Sequence, residues 1–130
     1  MKIEHFGMVV PAPHTMAQWY VDNLGFSIER QAGDNSAGLA FIADSSRQVM
    51  VELFARKDLT PLDYAGLPPA MVHIAVSSDD PDADIARLQQ AGATLVEDNK
   101  NSGAADRLAF LRDPWGVVIQ LVKRSKPMLV

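Results

Sequence analysis

The sequence predicts an α+β domain in which two βαβββ modules form a cupped mixed sheet. Three observations point there. Short apolar runs of strand length and two stretches of helical period follow one another in the same order twice, and a proline-rich segment separates the two halves. Polar residues also recur at a fixed offset inside these runs: His73 stands 68 positions after His5, and Gln120 stands 68 after Glu52.

Residues 3–10 read as a strand, ended by Pro11-Ala12-Pro13 because proline cannot donate to a ladder and restricts the residue before it. A helix follows. Thr15 is its candidate cap, Met16, Trp19, Tyr20 and Leu24 recur at helical spacing, and Gly25 is a suitable left-handed stop. An extended segment begins at Phe26, and residues 39–43 and 48–55 are two strands joined across Asp44-Ser45-Ser46. Residues 57–70 hold three prolines and a glycine without a sustained period, which predicts a linker. The pattern then restarts with a strand over 72–76 and a helix opened by Asp79-Asp80-Pro81, with Ile85, Leu88 and Gln89 leading to a stop at Ala91-Gly92. Residues 94–97, 107–111 and 117–122 supply the last strands. The expected organisation is one domain over residues 1–130, with modules at 1–56 and 71–124 and the linker at 57–70.

L-A-F-I-A-D (39–44) answers L-A-F-L-R-D (108–113) at an offset of 69, one insertion away from 68. The period exceeds that of solenoid units and two copies are too few for a solenoid, so the modules are expected to face each other across a pseudo-twofold axis.

Composition removes several functions. Lys and Arg number 12 against 16 Asp and Glu, a net charge of −4 with no basic run, which is the wrong balance for binding a nucleic-acid backbone. Without cysteine there are no disulfides, thiolate nucleophiles or thiolate metal sites. The first ten residues lack the continuous apolar core of a signal peptide, and no apolar run has the length needed to span a bilayer, so a cytoplasmic location is expected.

Side chains alternate across a strand, which puts Glu52 with Met50 and Phe54, Gln120 with Val118 and Val122, His5 with Ile3 and Gly7, and His73 with Met71 and Ala75. The more uniformly apolar opposite face, Val49, Val51 and Leu53 with Val117, Ile119 and Leu121, should lie under the helices. An unpaired buried carboxylate costs at least several kcal/mol, comparable with the stability of a small domain, so Glu52 should be neutralised, hydrogen-bonded or bound to a cation. Two imidazoles, one carboxylate and one amide oxygen suit a first-row divalent ion with up to two positions left for water or substrate. Each of these residues taken singly has a plainer structural reading; recurrence in register favours the metal.

These residues resemble the vicinal oxygen chelate superfamily, which includes glyoxalase I, extradiol dioxygenases, methylmalonyl-CoA epimerase, fosfomycin-resistance thiol transferases and bleomycin-resistance proteins. The carriers are W-Y-V-D-N-L-G-F (19–26), V-E-L-F (51–54), V-H-I-A-V (72–76) and F-L-R-D-P-W-G-V-V-I-Q-L-V (110–122). The resemblance implies a site on the first and fourth strands of each module: His5, Glu52, His73 and Gln120 around one divalent ion, nickel, zinc, cobalt, manganese or iron. Members similar to glyoxalase I usually carry glutamate at the last of these positions, whereas Gln120 cannot take a proton, so Glu52 would be the base. Bacterial glyoxalase I enzymes resemble one another in an arginine four residues after the first ligand; here that place is Val9, which weakens the case for glutathione. Arg56 and Arg124, four residues past Glu52 and Gln120, could hold an anionic substrate, or could be ordinary solvated charges.

The leading expectation is thus a glyoxalase-type lyase or isomerase in which the ion polarises a carbonyl and stabilises an enediolate while Glu52 shuttles the proton. An extradiol dioxygenase is a second reading, since two histidines and a carboxylate also suit non-haem iron. The third is a metal-free binding protein of the bleomycin-resistance kind, its cleft lined by Met50, Phe54 and Trp115. A small-molecule ligand and a homodimer are implied by the resemblance. The small, polar stretch 99–105 is a surface loop or a lid over the cup, and His14, at a helix start, is expected to be exposed and without a role.

Overall fold

Apolar alternation and helical period resolve into eight strands and two α-helices in a computed structural model that describes residues 1–129. Their order is β1 (His5–Val9), α1 (Pro13–Leu24), β2 (Ser27–Gly33), β3 (Gly38–Ala43), β4 (Met50–Ala55), a 3-10 turn (Tyr64–Gly66), β5 (His73–Ser77), α2 (Pro81–Gln90), β6 (Thr94–Asp98), β7 (Arg107–Arg112) and β8 (Val118–Lys123). The chain forms two compact units, Met1–Leu62 and residue 63 onward. Each has the expected βαβββ content.

The first unit is a four-stranded sheet of order β1-β4-β3-β2, and the second repeats it as β5-β8-β7-β6. In both, the strand before the helix pairs parallel with the last strand of the unit, and the other ladders are antiparallel. The helix α1 packs on β2, β3 and β4, and α2 packs on β6, β7 and β8. Beneath α1 lie Met8, Ala40, Ile42 and Leu53, and beneath α2 lie Ala109, Leu111, Ile119 and Leu121, all buried. In the first unit this is the face opposite His5 and Glu52, and in the second the face opposite His73 and Gln120, as strand parity requires. Val49 departs from the expected set, because it precedes β4 and is 43% exposed.

The start of α1 differs from the sequence expectation. Pro13 occupies the first turn, where its missing N–H costs nothing and its fixed φ suits a helix, so the helix begins before Thr15. Ala12 at the N-cap contributes no side chain bond. Asn35, from the β2–β3 turn, does that work: its Oδ1 accepts from the backbone N–H of His14 (2.9 Å) and Thr15 (3.1 Å), and its Nδ2 donates to Thr15 Oγ1 (2.8 Å). His14 is half-buried rather than exposed, with Nε2 between the carbonyls of Ala32 (3.0 Å) and Leu39 (3.2 Å). By contrast, α2 starts as expected, with the Asp80 carboxylate accepting from Ala83 N–H (3.1 Å), and Gly25 closes α1 in the left-handed region at φ 70°.

The second half of the proline-rich segment belongs to the second unit. Arg112 fastens it by donating to the carbonyls of Tyr64 (2.8 Å), Leu67 (2.7 Å) and Gly116 (3.2 Å). At Gly116, φ is +89° and an added Cβ would come within 2.8 Å of Ala65, so this turn requires glycine on both counts. Among the described residues no helix is long and apolar enough to cross a membrane.

Candidate functional site

In the first unit, β1 and β4 run side by side with His5 opposite Met50 and Gly7 opposite Glu52, while Phe41 of β3 lies opposite Glu52 on the other side. These residues therefore share one sheet face. Gly7 makes the arrangement possible: a Cβ there would lie 3.3 Å from Glu52 Oε2 and 3.6 Å from the Phe54 ring, so the carboxylate rests in the space a side chain would fill. The Phe41 ring meets His5 edge to face, with centroids 5.3 Å apart at 87°.

His5 Nε2 stands 3.2 Å from Glu52 Oε2, and its other nitrogen, Nδ1, is hydrogen-bonded to the Glu4 carboxylate. The Glu52 side chain is 20% exposed and that of His5 37%. The imidazole pKa is raised from its ordinary value, chiefly by the bond to Glu4, with the charges of Glu4 and Glu52 acting the same way against a partial desolvation. Both carboxylates are acceptors only, so with Nδ1–H given to Glu4 an unprotonated Nε2 would meet Glu52 lone pair to lone pair. Something positive belongs between them, a proton or a metal cation. Donor atoms about 2.0–2.2 Å from a zinc-like ion stand roughly 3.0–3.5 Å from each other, and the observed 3.2 Å lies within that spacing.

The second unit repeats this face with other chemistry. His73 lies opposite Val118, Gln120 lies between Ala75 and Phe110, and Phe110 meets His73 edge to face at 5.2 Å and 84°. Gln120 is buried at 9% exposure, while His73 is exposed. Val72 holds the place equivalent to Glu4, and Ala75 that equivalent to Gly7. Among the described residues no three His, Asp or Glu side chains converge as a ready-made metal group. Within the first unit, the structure brings His5 and Glu52 together; His73 and Gln120 occupy the matching strands of the second.

The other candidates are distributed as follows. Met50 and Phe54 are half-buried on the Glu52 face, and Trp115 is half-buried in the β7–β8 turn, its backbone N–H donating to Asp113 (2.9 Å). Arg56 lies just past β4 and grips Asp58 with both prongs (3.0 and 2.7 Å). Arg124, just past β8, pairs with Asp106 (2.9 Å). The stretch 99–105 is fastened at its base, since Asn99 accepts from Leu108 N–H (2.8 Å) and donates to the Asp106 carbonyl (2.9 Å).

Asp106 also accepts from Ser125 N–H and Oγ, and these bonds with Arg124 pull its pKa down to about 2. Its folded value lies below the unfolded one, so its contribution is present above about pH 4 and is lost as the pH falls toward 2. Urea titrations across this range should show Asp106→Asn less stable than wild type at neutral pH, with the gap closing toward pH 2; a gap constant with pH would contradict the assignment.

Sequence reasoning missed Glu4, Phe41, Phe110 and the space at Gly7. The two phenylalanines were present in the repeated L-A-F, at the offset of 69 already found. Parity puts Glu4 on the face opposite His5, but Glu4 immediately precedes β1, its carbonyl accepting from Met50 N–H (3.0 Å), and its carboxylate bonds the adjacent ring.

The family model for the Glyoxalase/Bleomycin resistance protein/Dioxygenase superfamily matches residues 2–121, and the chain belongs to that superfamily. Its structure is similar to that of a glyoxalase family protein from Bacillus cereus, with a TM-score of 0.76 and 19% identity over 94% of this chain and 93% of that one. It is similar to the trypanothione-dependent glyoxalase I of Leishmania major, with a TM-score of 0.73 and 21% identity over 99% and 90%. An antibiotic binding protein from Streptomyces sp. is similar at a TM-score of 0.63 and 25% identity over 93% of both chains. No curated protein sequence matches the chain.

Proposed function

We propose that the chain is a divalent-metal-dependent lyase or isomerase of the glyoxalase I type, acting on a small carbonyl or hemithioacetal substrate. The observation that carries this reading is the row Glu4–His5–Glu52, in which two carboxylates flank one imidazole and the second gap has the width of two ligands on one ion. His5 and Glu52 are the proposed donors from the first unit. His73 and Gln120 are the proposed remaining donors, on the ground of the repeat. When bound, the ion supplies Lewis acidity that polarises the substrate carbonyl.

The chain's own residues do the rest. Glu52 Oε2 is the oxygen against His5, which leaves Oε1 to take a proton from the carbon beside the carbonyl and return it to the neighbouring carbon. Gln120 has no basic oxygen, so one carboxylate performs both transfers. The apolar Met50 and Phe54 on the same face keep water from competing for that proton.

The test is metal content per chain by mass spectrometry after separate loading with nickel, zinc, cobalt, manganese and iron, followed by turnover of methylglyoxal hemithioacetals. The expected result is about one ion per chain in the wild type, lost in Glu52→Ala, with turnover that follows occupancy. No stoichiometric ion under any loading would overturn the proposal. A proton can also fill the gap between His5 and Glu52, and the likeness to an antibiotic binding protein supports small-molecule binding without metal as the second reading. Undiminished ligand affinity in metal-free protein would select it.

A further inference from the structure

We infer that Glu4 is a positioning residue whose carboxylate holds the Nδ1–H of His5, so that Nε2 is the nitrogen presented beside Glu52; its purpose rests on the metal reading above. A neutral imidazole has one N–H and one lone pair, and the group bonded to one nitrogen decides the role of the other. A carboxylate can only accept. Glu4 against Nδ1 therefore selects the tautomer whose Nε2 can donate a lone pair to a cation, the arrangement in which metal-bound histidines commonly give their second N–H to a carboxylate.

The surroundings support this assignment. Glu4 lies on the wall of a cleft of about 300 Å³ together with Lys2, Glu29 and Arg47, and Arg47 is held by Glu29 at 2.6 Å. The Phe41 ring, perpendicular to that of His5 with centroids 5.3 Å apart, packs on it from another direction. His73 has the matching aromatic contact, from Phe110, but Val72 where a carboxylate would stand. The two histidines of the repeat are thus unequal: His5 has a carboxylate against Nδ1, and the place equivalent to Glu4 beside His73 is apolar. Because the Glu4 side chain is 68% exposed, water competes for it and the effect should lie at the lower end of the usual range for such partners.

The experiment combines two readouts on wild type, Glu4→Ala and Glu4→Gln. Without metal, Glu52 competes for the single N–H of the neutral ring from the Nε2 side, so the tautomer is read in a Glu52→Ala background. In metal-free protein at alkaline pH, the ring-nitrogen shifts of His5 by ¹⁵N NMR should show the Nδ1–H tautomer in Glu52→Ala and in Glu52→Ala/Glu4→Gln, whose amide oxygen still accepts, and a loss of that tautomer in Glu52→Ala/Glu4→Ala. Zinc affinity measured by chelator competition should fall on the order of tenfold in Glu4→Ala and by less in Glu4→Gln. An Nε2–H tautomer in Glu52→Ala, or a tautomer in that background and a zinc affinity that are both unchanged by Glu4→Ala, would overturn the inference. If wild type takes up no metal, the functional reading fails, and the NMR result alone decides what Glu4 does to His5.

Discussion

Replacing Glu52 by glutamine should lower kcat for a hemithioacetal substrate by about 10²–10⁴-fold, the usual contribution of a positioned general base, while leaving the fold intact. An amide has nearly the volume of the carboxylate but cannot take the proton. The protein shows that its sheet accepts such a side chain, since Gln120 occupies the equivalent position of the second unit between Ala75 and Phe110. Steady-state kinetics on protein of measured metal content, with circular dichroism as the check on folding, separates lost proton transfer from lost metal. Equal turnover in wild type and variant would remove Glu52 from the chemistry.

The next residue carries the opposite kind of effect. Leu53 is fully buried, pointing to the helix side of β4 while Glu52 points to the other. Leu53→Ala should cost about 2–5 kcal/mol, the range for a buried leucine whose site cannot collapse around the smaller side chain. Urea denaturation should show this as a lower midpoint at unchanged slope. Turnover of the molecules that remain folded should stay close to wild type. A loss below about 1 kcal/mol would mean that α1 settles into the vacated space, with less cavity left than the burial of Leu53 implies.

Periodicity made the eight strands and two helices legible because each unit buries one face of its sheet, and an alternating pattern records that burial directly. The ends of the elements shifted by a residue or two, since ladder partners far along the chain decide them. The cap of α1 was illegible for the same reason: Asn35 is twenty residues from Thr15, and nothing near the helix announces it. Proline and glycine marked residues 57–70 as irregular, but the three carbonyls gathered by Arg112 depend on a turn that forms much later in the sequence. At the candidate site, the recurrence of His and Glu or Gln was visible as spacing, and the edge-on phenylalanines recur with it. Glu4 was not, because alternation assigns adjacent residues to opposite faces and gives no sign that Glu4, whose carbonyl accepts the first ladder bond from Met50 N–H, turns its carboxylate back onto the neighbouring ring.

The parallel pairing of β1 with β4 also sets an order of assembly. Strands β2, β3 and β4 form an antiparallel meander whose neighbours are joined by short turns, whereas β1 can join only after the chain has run through α1 and the whole meander to reach Met50. Closing the longer loop costs more entropy, so β1 should dock after the meander, and like β2 at the opposite edge it is held by a single ladder and can leave without the strands between them. Glu52 is thus carried by the part of the unit that forms early, and His5 by the part that arrives late. Any partly opened form that sheds β1 loses the His5–Glu52 pair while α1 and three strands persist, so the candidate site should disappear before the unit that bears it.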